Sequence, residues 1–148
     1  MAIDLDGIAS AIAARYASGT TTPPAGYANV RSSTAHAPGA IGPTPAVVVS
    51  ADAGQFITGN GSRQGMQTWW VRFYFDQTSD LERTEPALRK WLNVLLYQHL
   101  QGMQLGGLVV LTRIESYRVG ILAYGGVDYA GIELTVHTTT AEGWAATA

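Results

Sequence analysis

The chain has 148 residues, of which 47% are apolar and only 14% charged, with no cysteine and a formal net charge of −2. That length suits one domain with a single core. The slightly acidic balance argues against a nucleic-acid footprint, which needs clustered cations, and the missing cysteines exclude disulfides and thiolate-bound zinc.

Charged residues fall well below the quarter or so usual for soluble domains. Such a surface either carries uncharged polar loops or is covered by other subunits. Asp4 and Asp6 stand where a signal peptide carries cations. No apolar run approaches the roughly 20 residues that span a bilayer, so no membrane partner is expected.

Residues 5–16 (LDGIASAIAARY) read as an amphipathic helix, with Leu5, Ile8, Ile12 and Tyr16 on one stripe and Asp4 or Asp6 as cap or dipole partner. Residues 18–45 are rich in Gly, Pro, Ser, Thr and Ala and hold all but one of the six prolines. With no second core beyond it, this stretch reads as an extended loop or arm. Ala46 to Ala51 (AVVVSA) is a buried strand, and Gln55 to Gln64 carries Asn60-Gly61, a strong hairpin signal. Gly59, Gly61 and Gly65 are spaced G-x-G-x-x-x-G, wrong for a dinucleotide fingerprint, and a turn explains them.

From Thr68 to Asp76 apolar residues alternate. Trp69, Val71, Phe73 and Phe75 form the core face, and Trp70, Arg72 and Tyr74 the opposite one. Residues 84–102 form the main helix, with a stripe of Leu88, Trp91, Leu92, Leu95, Leu96 and His99. Thr84 is its expected N-cap, Pro86 suits a first turn, and Gly102 or Gly106-Gly107 ends it. Leu108 to Ile114, Tyr117 to Tyr124 and Val127 to Thr139 read as a three-strand meander with a tight turn at Gly125-Gly126, and 140–148 as a tail anchored by Trp144. The sum is an α+β fold: a mostly antiparallel β-sheet with two main helices packed on it, a long Pro/Gly-rich loop and a β-hairpin.

Chemistry-bearing patterns are absent. His36, His99 and His137 show no metal-ligand spacing, and Ser32, Ser33, Ser50 and Ser62 sit in no nucleophile-elbow motif. Glu115, Asp128 and Glu133 fall on separate stretches of strand. No catalytic residue, cofactor or metal ligand is assigned. The unusual feature is the combination of Trp70, Arg72 and Tyr74 with Tyr117 and Arg118, since Trp, Tyr and Arg dominate binding hot spots. Arg31 in the loop, and Asn60, Gly61 and Arg63 at the hairpin, complete the interface candidates. The competing explanation is a second layer on that face, supplied by the N-terminal helix.

The opening MAIDLDGIASAIAARY, the PPAGY connection, the strand TWWVRFYF, the helix ALRKWLNVLL and the closing YAGIELTVHTTTAEGW together resemble the tail terminator proteins of long-tailed bacteriophages. The resemblance implies an α+β subunit of a homohexameric ring in the virion neck, made in the host cytoplasm, with no catalysis and no cofactor. It implies contacts with tail tube protein and with a head-completion or connector protein, while DNA only passes through the lumen. A head-completion or adaptor protein of the same neck is the nearest alternative. On this reading Asp52, Glu115 or Glu133 would line the lumen. Two other classes make different demands. A small enzyme needs a convergent His137–Glu133–Asp128 cluster; a monomeric ligand-binding module needs a closed apolar cavity and a 18–45 loop ordered without a partner.

Overall fold

The computed structural model describes residues 3–59, 62–97 and 104–143, with 57–59, 62–63, 97 and 142–143 described as backbone only. Helix α1, Leu5–Arg15, is opened by Asp4, whose carboxylate accepts from the Gly7 amide at 2.9 Å. A Cβ at Gly7 would lie 2.3 Å from that carboxylate, so the smallest residue is what lets the cap fold back. At the other end the Thr20 hydroxyl donates to the Ala14 carbonyl at 2.6 Å, covering an acceptor that the helix leaves open.

The proline-rich stretch is tied down, which corrects its reading as a plain extended loop. It contains a short strand, β1 (Ser32–Thr34), lying parallel to β2 (Ala46–Gly59). The Asn29 amide donates to the carbonyls of Ser18 and Thr21, the Ser33 hydroxyl donates to the Ala13 carbonyl, and Val30 is buried. Side-chain bonds of this kind satisfy backbone groups that an irregular segment cannot satisfy itself.

Strand β3 (Ser62–Asp76) runs antiparallel to β2 on one side and to β5 (Val127–Gly143) on the other, and β4 (Leu111–Tyr124) lies outside β5. The order is β1-β2-β3-β5-β4. The expected meander is therefore a single hairpin. One long β4 replaces two strands, because the extra residue Glu115 is accommodated as a bulge between Ile114 and Ser116 and does not end the pairing. The β4–β5 turn is at Gly125-Gly126, both with positive φ (59° and 81°), as a tight two-residue hairpin turn requires. Leu108 to Val110 precede β4 and follow a 3-10 turn at Leu105–Gly107. The final strand also runs further than expected, taking in residues 140–143 of the proposed tail.

Helix α2, Leu81–Tyr97, starts three residues earlier than expected. Asp80 is the cap: its carboxylate accepts from the Arg83 amide at 3.2 Å, while Thr84 donates its hydroxyl to the Asp80 carbonyl at 2.8 Å. Pro86 thus sits inside the helix, where its missing N–H leaves the carbonyl of exposed Glu82 to solvent.

Both helices cover the same sheet face. Ile8, Ile12 and Tyr16 of α1 and Leu88, Trp91 and Leu95 of α2 close over Val47, Val49, Trp69, Val71, Phe73, Ile132, Leu134 and Val136. The Trp91 and Phe73 rings lie 4.7 Å apart. Each such side chain contributes roughly 1.5–3 kcal/mol on leaving water. Toward the hairpin the same face turns polar: the Gln67 amide donates to Thr140 (3.1 Å), Thr138 donates back to Gln67 (2.8 Å), and the Trp69 indole donates to Thr138 (3.0 Å), all buried. On the opposite face a smaller cluster joins Val48, Tyr74, Leu122 and Tyr129, with Ile41 and Tyr124 against it. The Tyr124 hydroxyl donates to the Pro38 carbonyl, so the proline-rich segment caps one end of this face.

Burial pushes the Tyr16 phenol far above its ordinary range, and burial likewise raises Tyr74, partly offset by Arg72. Above about pH 10 the unfolded chain releases these protons while the folded chain keeps them, so stability is complete below that pH and falls as pH rises. Tyr16→Phe should flatten the fall by up to about 1.4 kcal/mol per pH unit. Urea unfolding followed from pH 9 to 11.5 on the two proteins measures this; parallel slopes would show that Tyr16 ionises normally.

Candidate functional site

The register of the three strands sets Arg72, Glu133 and Arg118 in one row across β3, β5 and β4, on the face away from the helices. Arg72 Nε donates to Glu133 Oε2 at 2.8 Å, and Arg118 Nε lies 3.9 Å from the other carboxylate oxygen. The Arg72 guanidinium stacks 5.3 Å from the centre of the Trp70 ring. The Glu133 side chain is 16% exposed, against 34% for Arg72 and 58% for Arg118. One carboxylate is thus held between two guanidiniums, with an aromatic plate beside it.

Farther along, His137 stands opposite Thr68 and Arg113. The bulge brings Glu115 to this row, where its carboxylate meets Arg113 Nε at 2.8 Å and His137 Nδ1 at 3.6 Å. The open face therefore carries a band of Trp, Arg, Glu and His flanked by Ser50, Thr68 and Thr135.

Of the interface candidates, Trp70, Arg72 and Arg118 come together in this band. Tyr74 does not: it is 2% exposed, its ring edge-on to those of Tyr124 and Tyr129 at 5.8 and 5.4 Å. Strand alternation placed it on the correct face, but it could not reveal that residues near Pro38–Ile41 cover that end. The N-terminal helix is not the cover, since it packs on the other side. Tyr117, opposite Leu134, belongs to the helix-side face and is 56% exposed. Arg31 is exposed at the entry to β1, its amide bonded to the Pro45 carbonyl. Asn60, Gly61, His99 and Trp144 lie outside the described residues. Arg63 is described only through its backbone, opposite Thr58 and Glu142.

The cluster that an enzyme reading requires is not assembled. Asp128 pairs with Ala123 at the far end of β5 and on the other face, Glu133 is engaged by arginines, and His137 faces Glu115. Among the described residues no group of three or more His, Cys, Asp or Glu side chains could hold a metal ion. The ion pairs also neutralise Glu115 and Glu133, two of the three carboxylates suggested for a lumen, and leave Asp52 exposed.

Sequence reasoning missed two apolar features. A groove of about 330 Å³ runs between the start of α1 and the β2–β3 ribbon, lined by Ile3, Leu5, Ala53, Phe56, Met66 and Trp69 among others. Leu5 and Phe56 are 51% and 55% exposed there. On the opposite edge Leu108, Val110 and Leu111 are all exposed. The signal for the first was Phe56, an aromatic in an otherwise polar hairpin arm; the second was hidden inside an apparent strand. No protein-family model matches the chain, and no curated protein matches it in sequence.

Glu133→Gln keeps the shape of the side chain and removes the charge shared by the two arginines. It should cost about 1–2 kcal/mol in urea unfolding, because the pair is half-buried, and the gap to the parent should narrow as salt is added. An unchanged midpoint would mean that the row contributes nothing to the isolated subunit.

Proposed function

We propose that the chain is a tail terminator of a long-tailed bacteriophage, a structural subunit of a ring that caps the tail tube and joins it to the head-completion complex. The observation that carries this reading is the asymmetry of the sheet. One face is closed by two helices, while the other leaves Trp70, Arg72 and Arg118 uncovered in the single chain. Large rings and guanidiniums in a pre-set row, backed by a rigid sheet, suit recognition of a protein surface. The resemblance of the opening helix, the central strand and helix, and the closing strand to tail terminators supports the same reading.

The proportions of the sheet support it too. Strands β2, β3 and β5 are 14, 15 and 17 residues long, against a usual length of about 5–6. Residues 51–56 of β2 are all exposed, and the β2–β3 ribbon, paired as far as Gly59 and Ser62, forms a tongue. In the proposed ring the tongue reaches along the axis to tube or head protein. A closed ring uses two different patches on each subunit, which the band and the sheet edges supply. The work is mechanical: the subunit ends tube growth by covering it and offers a second surface upward. No bond is made or broken.

Light scattering behind a sizing column, with the protein alone and with tail tube protein, tests this reading. The expected result is a species of about six subunits that Trp70→Ala combined with Arg72→Ala converts to smaller, still folded species. A monomer at every concentration, with tube protein present and unbound, would overturn it.

A further inference from the structure

We propose that the outer edge of β2 from Ala53 to Gly59 is a docking site for an extended segment of another protein, apolar and basic, which adds to the sheet as a further strand. The inference goes beyond the ring reading and does not depend on it. Strand β1 pairs with β2 only at Ala46–Val48; past that point, among the described residues, β3 is the only strand beside β2. A bulge at Asp52 interrupts the pairing, and from Ala53 to Gly59 the register with β3 then runs without a break. An edge strand presents a row of unpaired amides and carbonyls. These seven residues, AGQFITG, contain no charge and no proline, two of the devices that keep an edge from pairing.

Hollows lie on both faces of this one segment. On the helix side is the apolar groove of about 330 Å³, walled by Ile3, Leu5 and Trp69. On the open face a second hollow, of about 270 Å³, is bordered by Ala53, Gln55, Met66, Thr68 and His137. Side chains of an added strand point alternately to the two faces, so successive residues enter the two hollows in turn. Gly54, paired with Gln67, has no side chain and leaves a place at the edge of the groove for one from the partner. The groove suits an apolar residue, and the hollow beside Thr68 and His137 a small polar one.

Charge selects the occupant. Asp52 stands in the groove wall, and Asp4 and Asp6 flank Leu5. All three are exposed, and the ion pairs among the described residues include none of them. A lysine or arginine on the incoming segment therefore meets carboxylates. A second copy fits less well. Its other outer strand, β4, is most exposed between Leu111 and Arg118, where Arg113, Glu115, Arg118 and a bulge oppose pairing.

Three blocked synthetic peptides test the site. KTLTVTK alternates Lys, Leu and Val with Thr; ETLTVTE is its acidic counterpart; KTLPVTK carries a proline that prevents strand pairing. Lysine at both ends reaches the carboxylates whichever way the strand runs. Titration calorimetry should show binding of the first, binding about tenfold weaker for the second, and none for the third. Hydrogen exchange with the first peptide bound should slow within residues 53–59 and not in β4. Asp52→Lys should erase the difference between the first two peptides. Ala53→Lys, a charge on an exposed edge position, should abolish binding of the first while the urea midpoint stays near the parent's. No binding of KTLTVTK, equal binding of all three, or protection elsewhere overturns the proposal. Self-association that blocks the peptide and is dissolved by Ala53→Lys would assign the edge to a second copy, which also overturns it. Peptide binding by a protein that forms no ring, alone or with tube protein, leaves the site standing and overturns the ring reading.

Discussion

The rings of Phe73 and Trp91, 4.7 Å apart in the interior, fix the relation between sheet and main helix on which the other contacts depend. Phe73 lies on β3, which is hydrogen-bonded to a long partner on either side. Its apolar face is therefore held in register from both sides beneath the helix. Once Trp91 sits on Phe73, Leu88 and Leu95, one turn to either side, reach the same layer. Helix α1 fills the remainder with Ile8, Ile12 and Tyr16. Everything on the opposite face follows by alternation. Putting Trp69, Val71 and Phe73 inward turns Trp70 and Arg72 outward, and a one-residue change in register would exchange the two sets.

Much of this was readable from periodicity. The period-two run from Trp69 to Phe75 and the three-and-four spacing from Leu88 to Leu95 each named a core face, and the fold class followed. What escaped was decided by single residues in competition. Thr84 and Asp80 both suit a cap, and Asp80 prevails because Thr84 then has a carbonyl to bond. Glu115-Ser116 looks like a break, yet a long edge strand absorbs it as a bulge because β5 continues beside it. Proline content marked residues 18–45 as irregular but could not show that Asn29, Ser33 and Val30 fasten them to α1 and the core.

The surface was harder to read than the core, for a physical reason. Burial imposes a repeating pattern on sequence, whereas a surface row is made by residues far apart in the chain. Arg72, Arg118 and Glu133 meet only because two registers coincide. Tyr74 illustrates the reverse case: a residue of interface type on the outward face, removed from solvent by a loop that no local pattern connects to it. The groove at Ile3, Leu5 and Phe56 is likewise built from the chain's beginning and a hairpin arm some fifty residues later.

The buried ladder of Gln67, Thr138, Thr140 and the Trp69 indole has a bearing on how the molecule carries load. Bonds between antiparallel strands run crosswise to them, so a pull along the tongue strains many at once in shear and does not peel them one after another. Sliding β5 against β3 by two residues would preserve alternation and cost an ordinary sheet little. Here it would strand an amide, two hydroxyls and an indole away from water with mismatched partners. The ladder acts as a set of teeth between β3 and β5, so the two strands would resist a lengthwise pull as one unit.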